Sequence, residues 1–402
     1  MGTYPSYAFT PSDDAVIIWA AGQIYSVPLS TNKRGERVGS STLPFPIRFI
    51  AHIEKHLATT LRGGVDVAEI ESQDTQRVRA MRGLRVDQTG QKVVFQAAGV
   101  TYLQTVGEKE VTTVPVLRDS APYYSPSFVP GNEDLVLHAR WSDTNFTSFE
   151  LANIRTGVAR EFVGLPMGRY FSPILCECSS PRRQIAFIKS GNSYLTGDIV
   201  ATANPGLYIG DITLPSGEST KSEHIKIHSL HYVKSEIDPG DRVNMRFLDG
   251  NKKLLVQQSS HAFIIDLEAG SNEIGEYPHR TVASGRMSSE IVVSLKTTKG
   301  SYTADGVAFV DSFHVHFAHG DYLKEGESVW TKVGNATKGL ARLSLDGGHD
   351  VTWSRDGKKV FWFLGRHLDH YCFTLVNDPV SRPIPALPGD LQPGRVFVSY
   401  QG

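Results

Sequence analysis

His349-Asp350-Val351-Thr352-Trp353-Ser354-Arg355-Asp356-Gly357-Lys358-Lys359-Val360-Phe361-Trp362 reads as a short apolar strand, a tight polar turn and a second strand rich in β-branched and aromatic residues. The same phrase stands earlier in other letters. One version is Tyr124-Ser125-Pro126-Ser127-Phe128-Val129-Pro130-Gly131 followed by Leu135-Val136-Leu137. Another is Tyr7-Ala8-Phe9-Thr10-Pro11-Ser12-Asp13-Asp14 followed by Val16-Ile17-Ile18-Trp19. The Pro, Asp and Gly residues of these turns pre-set φ or tolerate positive φ, so a hairpin follows from their chemistry. A hairpin that returns every ~40 to 60 residues marks a radially repeated all-β sheet architecture, a β-propeller.

Seven blades of four-stranded antiparallel sheet can be marked out along the chain. The first covers residues 4–33, with 47–53 as its outer strand, and the second begins at Val78 and turns at Gln88-Thr89-Gly90. The third spans 123–163, and the fourth starts at Arg169 and carries an insertion over 191–205. The fifth holds Met245-Arg246-Phe247-Leu248-Asp249-Gly250, the sixth is a degenerate unit over 286–317, and the seventh is the His349 unit. A six-bladed count follows if the degenerate unit merges with its neighbour. The tail 394–400 reads as a strand able to complete a blade with N-terminal residues, which would remove an open edge. Residues 54–75 and 299–306 are polar and aperiodic and read as loops. The whole chain, 1–402, is thus expected to be one propeller domain.

Composition narrows the function classes. Forty per cent of the 402 residues are apolar and 21% are charged, as in a soluble protein with a substantial core. The net charge of -1 leaves no electrostatic footprint for nucleic acid or an anionic membrane. No stretch approaches the roughly 20 apolar residues of a membrane span. Met1-Gly2-Thr3-Tyr4-Pro5 lacks the basic and apolar regions of a signal peptide, so a cytoplasmic protein is expected. The three cysteines make no disulfide framework. Cys176 and Cys178 alternate on one strand face and Cys372 lies far away, so free core thiols are expected.

In a ring of blades, residues at the starts of first strands and the ends of second strands gather round one channel mouth. The first set comprises Arg79, Tyr123, Tyr124, Arg169, Tyr170, Arg246, Arg286, His349 and Asp350. The second comprises Trp19, Trp141, Asp143, Lys189, Gln257, Gln258, His261 and Asp311. Aromatic walls with scattered cations and hydrogen-bonding groups suit hydrophobic small-molecule substrates that carry a few oxygens. His314-Val315-His316 and His319 would need a third ligand and a partner carboxylate to make a zinc site, so no metal is expected. No Gly-x-Ser-x-Gly elbow and no phosphate-binding Gly loop is present, and no cofactor is expected.

Several stretches carry a family resemblance. They are Gly2-Thr3-Tyr4-Pro5-Ser6-Tyr7-Ala8-Phe9-Thr10-Pro11, Ile50-Ala51-His52-Ile53-Glu54, Tyr124-Ser125-Pro126-Ser127-Phe128, Trp141-Ser142-Asp143, Leu343-Ser344-Leu345-Asp346-Gly347-Gly348 and Trp362-Phe363-Leu364-Gly365. With them the chain resembles the tricorn/TolB-type propeller that precedes the metal-dependent barrel of amidohydrolase-related proteins. No His-x-His strand with further barrel ligands follows, so the resemblance transfers the propeller and not hydrolysis. The chain is also similar to stand-alone fungal propellers of secondary metabolism, the hetero-Diels–Alderases of tropolone–humulene meroterpenoid pathways.

That second resemblance implies an intermolecular cycloaddition of a tropolone-derived quinone methide with a humulene-type terpene. Such a site must hold two apolar partners at reacting distance and donate hydrogen bonds to the oxygen on which charge builds. Arg79, Arg169 or Arg246 would donate. Tyr123, Tyr124, Trp141, Tyr170, Phe171, Trp19, Gln257 and Arg286 would bind substrate, and Asp143 or His349 would be the acid–base group. The competing expectation is a non-catalytic propeller that holds a peptide or protein partner, or a hydrolase-like activity at the same mouth.

Overall fold

The computed structural model describes residues 6–20, 23–52, 54, 72, 78, 80–177, 182–191, 204–214, 224–273, 275–285, 288–298, 301–322, 328–329, 340–365, 367–372 and 394–397. The chain divides into two compact units, Met1–Gln73 and Asp74–Gly402. The N-terminal unit is a sheet of β1 (Tyr7–Phe9), β2 (Ala15–Ala20), β3 (Gln23–Thr31) and β4 (Arg37–Gly39), with β5 (Phe45–Pro46) also paired to β3. Its first hairpin closes as the sequence predicts. The Thr10 hydroxyl donates to Asp14 Oδ1 at 2.5 Å, and Asp13 takes the left-handed φ of 54°.

The second unit is built of antiparallel meanders laid in chain order. The first sheet has β6 (Arg82–Val86), β7 (Lys92–Ala97), β8 (Val100–Thr105) and β9 (Val111–Thr113). The second has β10 (Tyr123–Val129), β11 (Asn132–Ser142), β12 (Phe146–Asn153) and β13 (Val158–Val163). The third has β14 (Tyr170–Leu175), β15 (Arg182–Lys189), β16 (Gly206–Thr213) and β17 (Ile225–Val233). The fourth has β18 (Asn244–Leu248), β19 (Lys253–Gln257), β20 (His261–Asp266) and β21 (His279–Gly285). The fifth has β22 (Ser288–Thr298), β23 (Ser301–Asp311) and β24 (His314–His319); the short β25 (Ser328–Val329) pairs in parallel with β21, and β26 (Leu340–Arg342) completes the fifth sheet. The sixth has β27 (His349–Trp353), β28 (Lys359–Leu364), β29 (His367–Cys372) and β30 (Gly394–Phe397).

These sheets pack face to face, because each buries apolar residues on both faces. Apolar clusters fill the successive junctions. Val94 and Val136 meet between the first and second sheets, Phe149 and Phe187 between the second and third, and Ile188 and Phe263 between the third and fourth. Ile264 and Phe309 meet between the fourth and fifth, Val315 and Trp362 between the fifth and sixth, and Phe361 and Met81 between the sixth and first. The succession returns to its start, so this unit is a closed ring of sheets, an all-β propeller fold. The second and third sheets are further joined by parallel pairing of β13 with β17, Phe162 opposite Ile225.

Three sequence expectations change. The tail strand β30 pairs with β29, with Leu368 opposite Val396, and so completes the last sheet instead of one begun at the N-terminus. Part of the expected loop over 299–306 is strand: β22 and β23 form one long hairpin whose tip pairs Thr298 with Ser301. Its polarity reflects reach beyond the sheet core, and the Tyr302 hydroxyl anchors it by donating to Asp249 Oδ1 at 2.5 Å. Cys176 is disulfide-bonded, not free. Of the other expected loop, 54–75, only Glu54 and Ser72 fall among the described residues. No helix among the described residues is long and apolar enough to cross a membrane.

Candidate functional site

The innermost strands of the six sheets wall a central channel. It widens into a cavity of about 130 Å3 lined by Arg85, Ser127, Ile174, Arg246, Val292 and Thr352, one residue from each of β6, β10, β14, β18, β22 and β27. The strand registers explain this column. β-bulges interrupt the inner strands between Arg82 and Arg85, Tyr124 and Ser127, Phe171 and Ile174, and His349 and Thr352. Each bulge contains a left-handed residue: Gly83 at φ 67°, Ser125 at 50°, Ser172 at 51° and Asp350 at 56°. The extra residue shifts the alternation, and the residue after each bulge turns to the axis.

Two of these six are cations with little internal company. Arg85 Nη1 donates to Leu84 O at 2.9 Å, and Arg246 Nη1 donates to Arg355 O at 3.3 Å. Arg246 Nε is buried without a partner, and neither guanidinium is ion-paired among the described residues. Burial pushes both down to about 10. The Arg242 charge adds to this for Arg85, against Asp350 and Glu290, and the Arg355 charge adds to it for Arg246, against Glu177 and Tyr302. Both remain cationic at neutral pH. Arg355 is itself neutralised in an ion pair with Glu177.

The mouth at the first-strand starts is a charge cluster. Asp350 accepts from Gly83 N at 2.7 Å and His349 Nδ1 at 2.8 Å, with Arg242 Nη1 at 3.2 Å and Arg82 Nη1 at 3.5 Å. Glu290 accepts from Asp350 N at 3.0 Å, Val351 N at 2.8 Å and Arg242 Nη1 at 2.5 Å. Burial alone would raise Asp350. The His349 hydrogen bond, the Arg242 charge and the Gly83 N–H outweigh burial and hold it below the usual carboxylate range. Burial wins at Glu290, which is raised.

The residues named from sequence divide into groups. Arg246 and Gln257 line the channel, and Gln257 Oε1 accepts from Val293 N at 2.7 Å. His349 stands at the charged mouth. Trp141 and Asp143 stand at the turn between β11 and β12, and Tyr124, Arg169 and Tyr170 meet at one corner between the second and third sheets. There the Tyr124 hydroxyl lies 2.6 Å from Thr147 Oγ1 and donates to Tyr170 O at 2.8 Å, and Thr147 N donates to Gly168 O at 3.1 Å. Trp141 Nε1 donates to Asp143 Oδ1 at 2.8 Å, with Phe146 edge-on to the indole at 5.5 Å.

The remaining aromatics serve packing. The Tyr123 hydroxyl donates to buried Glu150 at 3.1 Å and, through burial and that carboxylate, is pushed up to about 12. The Tyr170 ring is buried against Phe149 and Phe187, and Phe171 packs on the junction of the third and fourth sheets. Trp19 belongs to β2 of the N-terminal unit. Arg79 and Arg286 lie outside the described residues. His314 and His316 stand on β24, where His316 Nδ1 is 2.9 Å from the His314 carbonyl. Sequence reasoning missed Arg85 and Arg242. Aligning the repeats on their turns would have found Arg85, since Arg85-Val86-Asp87 and Arg246-Phe247-Leu248 occupy matching places.

No protein-family model and no curated protein matches the chain. Among solved structures it is similar to a TolB from Agrobacterium tumefaciens, at 12% identity over 74% of this chain and 91% of that one, with a TM-score of 0.40. It is similar to the β-propeller domain of Myceliophteria thermophila Swd1, at 12% identity over 74% and 83%, with a TM-score of 0.38. It is similar to the tricorn protease at 11% identity over 96% of this chain but 39% of that one, with a TM-score of 0.36. At such scores these likenesses carry no functional argument, and the propeller fold stands on the ring of sheets itself.

Proposed function

We propose that the second unit is a six-bladed, tricorn/TolB-type propeller that binds small molecules, and that its central channel takes a compact anion. The supporting observation is the pair of guanidiniums, Arg85 and Arg246, facing one cavity without a carboxylate partner among the described residues. Taking a charge out of water costs several kcal/mol unless a counter-charge replaces the lost hydration. An anionic ligand supplies it. The cavity of about 130 Å3 lies below the ~300–1,000 Å3 of sites for drug-sized ligands, which favours a compact occupant. Titration calorimetry with inorganic phosphate and short carboxylates tests the reading. Arg246→Met is expected to weaken binding at least tenfold, about 1.4 kcal/mol. Equal affinity in the two proteins overturns it.

A second reading is enzymatic, the hetero-Diels–Alder cycloaddition of a tropolone-derived quinone methide with a humulene-type terpene. One observation favours it: the Trp141 indole is held by Asp143 at the β11–β12 turn, so an aromatic edge and a carboxylate are presented together. Incubation with a hydroxytropolone precursor and a humulene alcohol decides it. An adduct formed no faster and with no more stereocontrol than in buffer sets this reading aside.

A further inference from the structure

The two guanidiniums do not stand side by side. In a ring of six, the first and fourth sheets face each other, with two sheets between them either way. Arg85 comes from the first sheet and Arg246 from the fourth, and both belong to the same column of axis-facing residues. The wall between them alternates in character. Ile174 and Val292 are apolar, Ser127 has its hydroxyl committed to Pro173 O at 2.7 Å, and Thr352 adds a hydroxyl on the other side of the ring. Cations on opposite walls with Ile174 and Val292 between them define a ligand shape.

We propose that the channel ligand is a short α,ω-dicarboxylate held at both ends, one carboxylate on Arg85 and the other on Arg246. This rests on the anion-binding reading above and names its ligand class. A guanidinium fork matches a carboxylate bidentately, so each end gains direction as well as charge. A single oxyanion can serve one wall only and leaves the other cation bare. A dianion satisfies both. The methylene spacer lies against Ile174 and Val292.

The test uses the full chain at constant ionic strength, with succinate, glutarate, butyrate and inorganic phosphate as probes in calorimetry. Succinate or glutarate is expected to bind at least tenfold tighter than butyrate. Arg85→Met and Arg246→Met should each reduce the better dicarboxylate to the butyrate level. Arg85→Lys and Arg246→Lys keep the charge and guard against misfolding; each should lose part of the preference and keep the circular dichroism spectrum. Butyrate or phosphate binding as tightly as the dicarboxylates, with all lost in Arg246→Met, overturns the two-ended grip and leaves the anion site standing. Binding of none of the four probes overturns both.

Discussion

Asp350 joins distant parts of the ring through one carboxylate: it takes Gly83 N of the first sheet, Arg242 just before the fourth, and His349 beside it. Its pKa in the fold lies below the ~3.9 of an unfolded Asp, so its stabilisation is complete above that value and fades as pH falls through the lowered one. Glu290, raised by burial, works in the opposite sense: its contribution is present below the unfolded value and is lost as pH rises through the raised one. Asp350→Asn is expected to cost about 2 kcal/mol near neutral pH. That is less than the ~3–5 kcal/mol of a fully buried pair, because Arg242 and Arg82 are 40% and 56% exposed. Urea midpoints of both proteins from pH 3 to 7 check this; the gap should narrow at the acid end. His349 and Asp350 were legible as mouth residues because they start a recognisable repeat. Arg85 was not, since counting alternate residues from a strand start fails once a bulge inserts one.

The hairpin between β6 and β7 shows how an element can be specified by its neighbour. Gly90 sits at φ 71°, and a Cβ there would lie 2.8 Å from Lys359 Cδ and 3.2 Å from Phe361 Cζ of the sixth sheet. Lys359 Nζ also donates to Gly90 O at 3.0 Å. Gly90→Ala combines left-handed backbone strain of ~1–3 kcal/mol with that contact, and is expected to destabilise by at least 1 kcal/mol in a urea melt. The turn was readable from Gln88-Thr89-Gly90-Gln91, but the reason for its tightness lies 269 residues away. The β22–β23 hairpin gave the opposite result. Its outer half packs Leu295, Tyr302 and Ala304 on the core. In sequence these stand among Lys296, Thr297, Thr298, Ser301 and Thr303, a pattern without clear alternation, so the strand is fixed by pairing and by contacts with distant residues.

At the scale of the whole ring, closure is made by side chains and not by strand exchange. Phe363 of the sixth sheet is fully buried edge-on to Phe95 of the first, with ring centroids 5.4 Å apart. Phe363→Ala is expected to cost ~3–5 kcal/mol, and a thermal melt should show the loss. A seam held by terminal strand exchange would suffer far less. The sheets themselves were legible because each hairpin carries its own turn chemistry. How they close was not, since the contacts that join the last sheet to the first span almost the whole chain. Each sheet sends one member of the column that holds Arg85 towards the axis. Three of these, Arg85, Arg246 and Thr352, take no part in any junction core, whereas Ile174 and Val292 do and Ser127 ties the second sheet to the third. The pore therefore works like a lock with three free tumblers and three welded ones: selection can recut its key at three letters while the barrel around it stays as it is.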